Sequence, residues 1–376
     1  MSKSLRLPFG AHVSAWVLLC VWTVVALFPL AWLLVMSLRL PRDAFDPNIV
    51  VALLGPATQE LVGGVSAVGI ALFVLLTLLL AGLYGAREAV LTRLGSTEDA
   101  PKPLAVLGFY LGLLLVGALG FVLVLPPLTA GLERLVGNTP LRGLGEPLLG
   151  LTTQHYREVW LGNAFYENFL NTLLVTVGVV SVSLTIGTLA AYALARTPTA
   201  WAFWILIAAL VFRSLPHSTL VAGYLPPFIE YGFYGQRLAV IVVLVAINQP
   251  FTVWMLRSFF ASIPAALDEA ALVDGCNRLQ AFTKVIMPIM WPGVITTGLF
   301  SFMLAYNDFL VSALLLDGDT QTMVPAIMQY FNRETTLTDQ LEAVAAAASI
   351  TFPLFLLVLF FQRQIVSGLT QGAVKG

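Results

Sequence analysis

The sequence predicts an all-α fold, a polytopic transmembrane helical bundle of about eight spans, and three observations carry that prediction. Hydrophobic residues make up 59% of the 376 positions and charged residues only 10%, with a mean hydropathy of +0.89. Soluble domains carry about 25% charged residues, so this chain cannot cover a water-exposed surface with polar groups. Eight apolar runs reach the ~20 residues that a helix needs to cross ~30 Å of hydrocarbon; they lie near 13–36, 62–84, 104–127, 168–194, 201–224, 237–259, 289–314 and 342–362. Lys and Arg then set a direction. With the N-terminus inside, the inner segments hold 11 of the 19 basic residues and the outer ones 8, a cytoplasmic excess, and an even number of spans leaves both termini on that side.

Taken in order, the first run follows Lys3 and Arg6. It is too long for a signal-peptide core and has no small-residue cleavage site behind it, so it reads as a signal-anchor helix. The second and third runs are joined by 85–103, where Arg87, Arg93 and Lys102 suit the cytoplasm. Gly108 and Gly112 form a GxxxG in the third run, either a close-packing face or a chance spacing. Asn168 and Asn171 open the fourth run and read as helix caps. The fifth is interrupted by Pro216 and followed by Pro226 and Pro227; Arg213 and His217 lie one turn apart in it. Arg213 either lines a transport path or snorkels to the outer interface. The seventh run carries Tyr306, Asn307 and Asp308 beside Phe309. Ionisable groups at membrane depth are functional candidates, and a carboxylate, an amide and a ring suit a sugar; an interhelical hydrogen bond is the other reading, and both stand.

Between the sixth and seventh runs lies a polar island, about 261–290, containing "DEAALVDGCNRLQAFTKVIMPIMWPG" at 268–293. Ser262 before Pro264 reads as an N-cap with proline in the first turn, Ala265 to Val273 favours helix, and Gly275 permits a left-handed turn. A second short helix is expected from Asn277 to about Met287, stopped by Pro288. Ile263, Leu267, Ala270 and Ala271 share one side while Asp268, Glu269 and Asp274 stay polar. The expected product is a helical hairpin along the inner membrane face, either a docking surface or an amphipathic connector resting on lipid.

The spacing of Glu269, Ala270, Ala271, Gly275, Phe282, Ile286 and Pro288 resembles the EAA loop of binding-protein-dependent ABC importer permeases. "NFLNTLLVT" at 168–176, "AAYALAR" at 190–196, "YNDF" at 306–309, "GLTQGAVKG" at 368–376 and "FPLAWLLVMSLR" in the first run add to it. Together they resemble the second permease subunit of the maltose-transporter type over 1–47 and 152–376. The resemblance implies a type I importer permease fold with an inserted helix pair. Its parts are a tail and first helix at 1–47, the inserted pair at 48–150 and a core permease domain at 151–376. It implies ATPase coupling through Leu267, Glu269, Ala270, Ala271, Asp274, Gly275 and Phe282, and ATPase contact by the tail residues Gly372, Ala373, Val374, Lys375 and Gly376. It also implies partners: a second, non-identical permease subunit, two ATPase subunits carrying ATP and magnesium, and an extracytoplasmic sugar-binding protein. Tyr306, Asn307, Asp308 and Arg213 are the substrate-path candidates. The cargo expected is a di- or oligosaccharide, with an α-glucoside the favoured kind.

Other function classes find little support. No phosphate loop G-x-x-x-x-G-K-[ST], H-E-x-x-H or G-x-S-x-G is present, so no cofactor is expected on this chain and ATP hydrolysis must belong to a partner. Three histidines and two unpaired cysteines offer no metal or disulfide pattern. A net charge of −1 gives no handle on nucleic acid, and lipid is the surrounding partner. An intramembrane enzyme built on Asp308 leaves the EAA loop unexplained, and a secondary transporter would show repeat symmetry, which the sequence lacks.

Overall fold

A computed structural model describes residues 9–93, 103–197, 200–213, 217–331 and 336–373. The chain divides into two compact units between His155 and Tyr156. Among the described residues seven helices are long and apolar enough to cross a membrane. The predicted fifth span, 201–224, includes residues 214–216, which lie outside the described residues; on either side of them are the helices Ala200–Arg213 and His217–Glu230.

In the first unit, α1 (Phe9–Ser37) is followed by the short helices α2 (Pro41–Ala44), α3 (Ile49–Leu54) and α4 (Pro56–Val62). Strand β1 (Gly64–Ser66) leads into α5 (Ala67–Gly85), α6 (Arg87–Arg93), α7 (Pro103–Leu119) and, through a π turn, α8 (Leu125–Gly137). Strand β2 (Pro147–Gly150) then pairs antiparallel with β1, Gly64 opposite Gly150. The chain therefore enters and leaves the helix pair through one narrow ribbon. A Cβ on Gly150 would strike the carbonyl of Gly55 and the amide of Gln59, so only glycine fits that closure. Among the described residues a Cβ on Gly108 or Gly112 would meet nothing within 4 Å, whereas α5 meets the third span and its π turn at Gly117 and Gly120, beside Leu80 and Leu76.

Polar groups hold the root of that ribbon. Arg39, 3% exposed, donates from Nε to the carbonyl of Ala52 at 2.9 Å and from its two Nη atoms to Gly150 and Leu53. Burial lowers its pKa, with the nearby Asp43 opposing. Asp43, fully buried, accepts from Ala57 N at 3.1 Å and from the backbone and hydroxyl of Thr58, both at 2.6 Å. The ring of His155 hydrogen-bonds the carbonyl of Arg39 at 2.9 Å. Every buried polar group here has a partner, as low-dielectric surroundings require.

The second unit, reached through α9 (Gln154–Arg157) and a π turn over Glu158–Gly162, contains α10 (Phe165–Arg196), α11 (Ala200–Arg213), α12 (His217–Glu230) and α13 (Arg237–Ser262). The hairpin helices α14 (Ala266–Val273) and α15 (Arg278–Gln280) lead through a π segment, Ala281–Ile286, into α16 (Met287–Tyr306), followed by α17 (Leu310–Leu315), α18 (Met323–Gln329) and α19 (Leu337–Ala373). Helices α10, α13 and α16 form the heart of the bundle. A Cβ on Gly187 of α10 would lie 2.6 Å from Cγ2 of Thr252 on α13, so these backbones meet through small residues, as in membrane packing generally. Between them Asn248 donates to Ser301 Oγ at 2.7 Å and Thr252 Oγ1 at 3.0 Å.

Three sequence expectations change here. Asn168 and Asn171 do not cap α10, which starts earlier at Phe165; both donate to the carbonyl of Gln321 at 3.0 Å and so fasten the loop before α18. Ser262 closes α13, its hydroxyl donating to Phe259 O at 2.6 Å, and does not open α14. Pro288 does not end a helix: the chain stays helical from the π segment Ala281–Ile286 into α16.

Candidate functional site: the polar hairpin

The polar island folds as the expected hairpin, and local chemistry sets its bend. The amide of Cys276 donates to Ala271 O at 3.0 Å and that of Gly275 to Leu272 O at 3.1 Å, while Gly275 adopts φ +86°. These bonds are the Schellman pair around a left-handed glycine. Asn277 then opens α15 with a capping box: its side chain accepts from Gln280 N at 2.8 Å, and its own amide donates to Gln280 Oε1 at 2.9 Å. The N-x-x-Q spacing was the sequence signal for that restart.

The hairpin has two faces. Leu267, Glu269, Ala270, Asp274 and Gly275 are exposed, together with Leu272, Val273 and Leu279. Val273 is 87% exposed and Leu279 67%, apolar side chains on either side of the bend at Gly275. Ala271 and Phe282 face the other way. They are buried, and Phe282 packs on Tyr192 at 4.8 Å and Phe260 at 6.4 Å between ring centroids. Neither is presented at the surface: Ala271 is buried beneath α14, and Phe282 belongs to the apolar cluster with Leu256, Phe259 and Ile286. In the tail, Gly372 and Ala373 are the last turn of α19, while Val374, Lys375 and Gly376 lie outside the described residues.

The substrate-path candidates do not converge. Tyr306 is 2% exposed, stacked on Phe302 and donating its hydroxyl to Ile350 O at 3.0 Å, which makes it packing. Asp308 is not inside a continuous seventh span; it sits in the break between α16 and α17, accepting from Ser312 N at 2.9 Å and Ser312 Oγ at 2.8 Å. A carboxylate there satisfies amides that the start of α17 leaves unpaired. Asn307 is exposed and bonds back to Met303 O at 2.9 Å. Arg213, at the end of α11, lies over the ring of Phe251 at 4.6 Å. At the far end of α10 from the hairpin, a cavity of about 740 Å³ is lined by Glu158, Glu167, Asp319, Asp339, Glu342 and Tyr330 among others, with no Lys or Arg among the described residues of its lining. Burial raises the pKa of Tyr330. Sequence reading missed this cavity because its walls come from three separated segments.

Comparison with known proteins agrees with the hairpin. The family described as the binding-protein-dependent transport system inner membrane component matches residues 162–371. Relatives include the diacetylchitobiose uptake system permease protein DasC of Streptomyces coelicolor, 32% identical over 60% of this chain and 82% of that protein. The trehalose/maltose transport system permease protein MalG of Thermococcus litoralis is 34% identical over 55% of this chain and 74% of that protein. The inner membrane ABC transporter permease protein YcjP of Escherichia coli is 29% identical over 73% of this chain and 98% of that protein. The family match covers more than half of the chain and contains the whole hairpin, so this chain belongs to the binding-protein-dependent transport system inner membrane component family, as a permease subunit and not an enzyme.

Proposed function

We propose that the chain is one of two non-identical permease subunits of an importer for a di- or oligosaccharide, an α-glucoside among them. The hairpin receives one of two ATPase subunits, which hold ATP and magnesium, and the outer side receives cargo from an extracytoplasmic sugar-binding protein. Both termini lie in the cytoplasm on this reading, the end the Lys and Arg excess marks. The observation that carries the proposal is the exposure of Leu272 and Val273 between Glu269 and Asp274, apolar side chains beside acids of the kind that seek a protein partner. The relatives named for trehalose, maltose and diacetylchitobiose support the sugar class.

Of the residues assigned to coupling, Leu267, Glu269, Ala270, Asp274 and Gly275 supply surface and bend, and Ala271 and Phe282 supply the seat. Asn307, Asp308 and Arg213 remain candidates for the cargo path. The carboxylates and Tyr330 of the outer cavity offer acceptors and a ring to sugar hydroxyls. The test is retention of the ATPase on the tagged permease together with sugar uptake into vesicles. Glu269→Lys should weaken ATPase retention ~30-fold or more, since truncating a hydrogen-bonded interface charge costs about 2 to 5 kcal/mol and each 1.4 kcal/mol is roughly tenfold. Gly275→Val should damage the bend with the charge intact, because φ +86° suits glycine alone. Retention and uptake unchanged in Glu269→Lys would sink the docking role.

A further inference from the structure

One side-chain cluster ties the hairpin to the two spans beside it. Arg196 is the last residue of α10, and Asp268 stands in the first turn of α14. Arg196 Nε meets Asp268 Oδ2 at 2.7 Å, with the two side chains only 18% and 15% exposed. The hydroxyl of Tyr192 donates to the other carboxylate oxygen, and the guanidinium of Arg196 lies 5.7 Å from the centre of that tyrosine's ring. Arg196 Nη1 reaches on to the carbonyls of Phe260 and Ile263, at 3.3 and 3.2 Å, where α13 ends. A single guanidinium thus closes on the end of α10, the end of α13 and the start of α14. Glu269, the next residue after Asp268, is exposed and takes no part. Two adjacent acids have opposite duties: one faces outward and the other locks inward.

We propose that Arg196 is a positioning residue: through Asp268 and Tyr192 it makes α14 one rigid body with the inner ends of α10 and α13. This rests on the reading that the hairpin docks an ATPase. A push on the hairpin would otherwise be absorbed at the joint between Ile263 and Ala265, the two residues that flank Pro264 between α13 and α14. With the lock closed, the push travels along α10, whose other end lines the outer cavity. The chemistry suits a lock. Charge-assisted bonds are the strong class, and two directional arms from one planar group demand arginine, since lysine carries the charge without the fork. Beneath it, Tyr192, Phe260 and Phe282 pack ring against ring, which leaves α14 little room to roll.

The experiment uses the complete complex of permease subunits, ATPase and binding protein, with Cys20 and Cys276 replaced by Ser. Spin labels go on Ala266 of α14 and Leu174 of α10, both exposed, and their separation is measured with and without ATP. The unmodified lock should give one narrow separation that ATP does not shift. Asp268→Asn and Arg196→Lys should each broaden the distribution and make it shift with ATP, while Asp268→Glu, which keeps the carboxylate, restores a narrow one. Should Asp268→Asn fail to assemble, Tyr192→Phe removes one bond while keeping the ring and should broaden the distribution less. ATPase retention should be unchanged throughout, because Glu269, Leu272 and Val273 are untouched. A separation that shifts with ATP while the lock is intact, or that stays narrow in Asp268→Asn and Tyr192→Phe, overturns the proposal. Failure of the ATPase to co-purify with the unmodified chain overturns the docking reading itself, and the lock's role with it.

Discussion

The two units solve the same problem, helices in lipid, in opposite ways. In the second unit half of the most apolar stretch of the Arg278–Tyr306 span and 44% of that of α13 are buried within the chain, against none of that of the Val13–Ser37 span and 6% of that of α5. Lipid is as apolar as leucine, so hydrophobicity alone does not press membrane helices together. The second unit draws its helices together with small residues and buried hydroxyl and amide pairs such as Asn248 with Ser301. In the first unit the spans share a few ring and side-chain contacts, such as Phe73 with Phe121, and definition comes from the polar root around Arg39, Asp43 and Thr58. A membrane unit can therefore be specified along its helices or at their ends.

The largest expected effect strikes the end-specified unit. Arg39→Ala would orphan three carbonyls and strip Asp43 of its nearby charge, at about 3 to 5 kcal/mol for a buried charged network. Hydrogen exchange should rise across residues 38–62 while α10 and α13 stay protected; exchange rising equally in both units would break the distinction. Next comes Gly187→Val, which overpacks α10 against Thr252 and should cost about 1 to 3 kcal/mol. Thermal unfolding in detergent reads it, with the loss confined to the second unit. Asp308→Ala removes the acceptor for Ser312 N and should cost ~1 kcal/mol, the usual worth of a helix cap. Uptake abolished with stability unchanged would instead place Asp308 on the cargo path.

The smallest effect depends on pH. Burial lowers the pKa of His155 below 6.5, with its bond to the Arg39 carbonyl opposing. A base whose folded pKa is depressed must give up stability as it becomes protonated, so the first unit is at full strength above about pH 6.5 and loses stability as pH falls through the folded value. His155→Gln should flatten that slope, measured as unfolding midpoint against pH from about 7.5 down to about 5.

Much of this was readable from the residues. Seven of the eight runs appear as spanning helices, because length and hydropathy suffice to define a span. The EAA hairpin also appeared where its glycine and flanking helices predicted it. The break after Tyr306 was not readable, since Asn307 and Asp308 sit in an otherwise apolar run and nothing local says that Asp308 will turn to cap α17.

What the sequence determined by itself is what neighbours along the chain decide: hydrophobic runs, a Schellman turn at Gly275, a capping box at Asn277. Only the tertiary structure decided which of two adjacent acids locks inward, that Phe282 faces the bundle, and that Arg39 meets Gly150 across 111 positions. Helical periodicity tells which residues share a face and is silent on what that face meets. The partner is chosen where distant segments converge, and there the cost of leaving a charge or a carbonyl unpaired in a medium of low dielectric selects the arrangement.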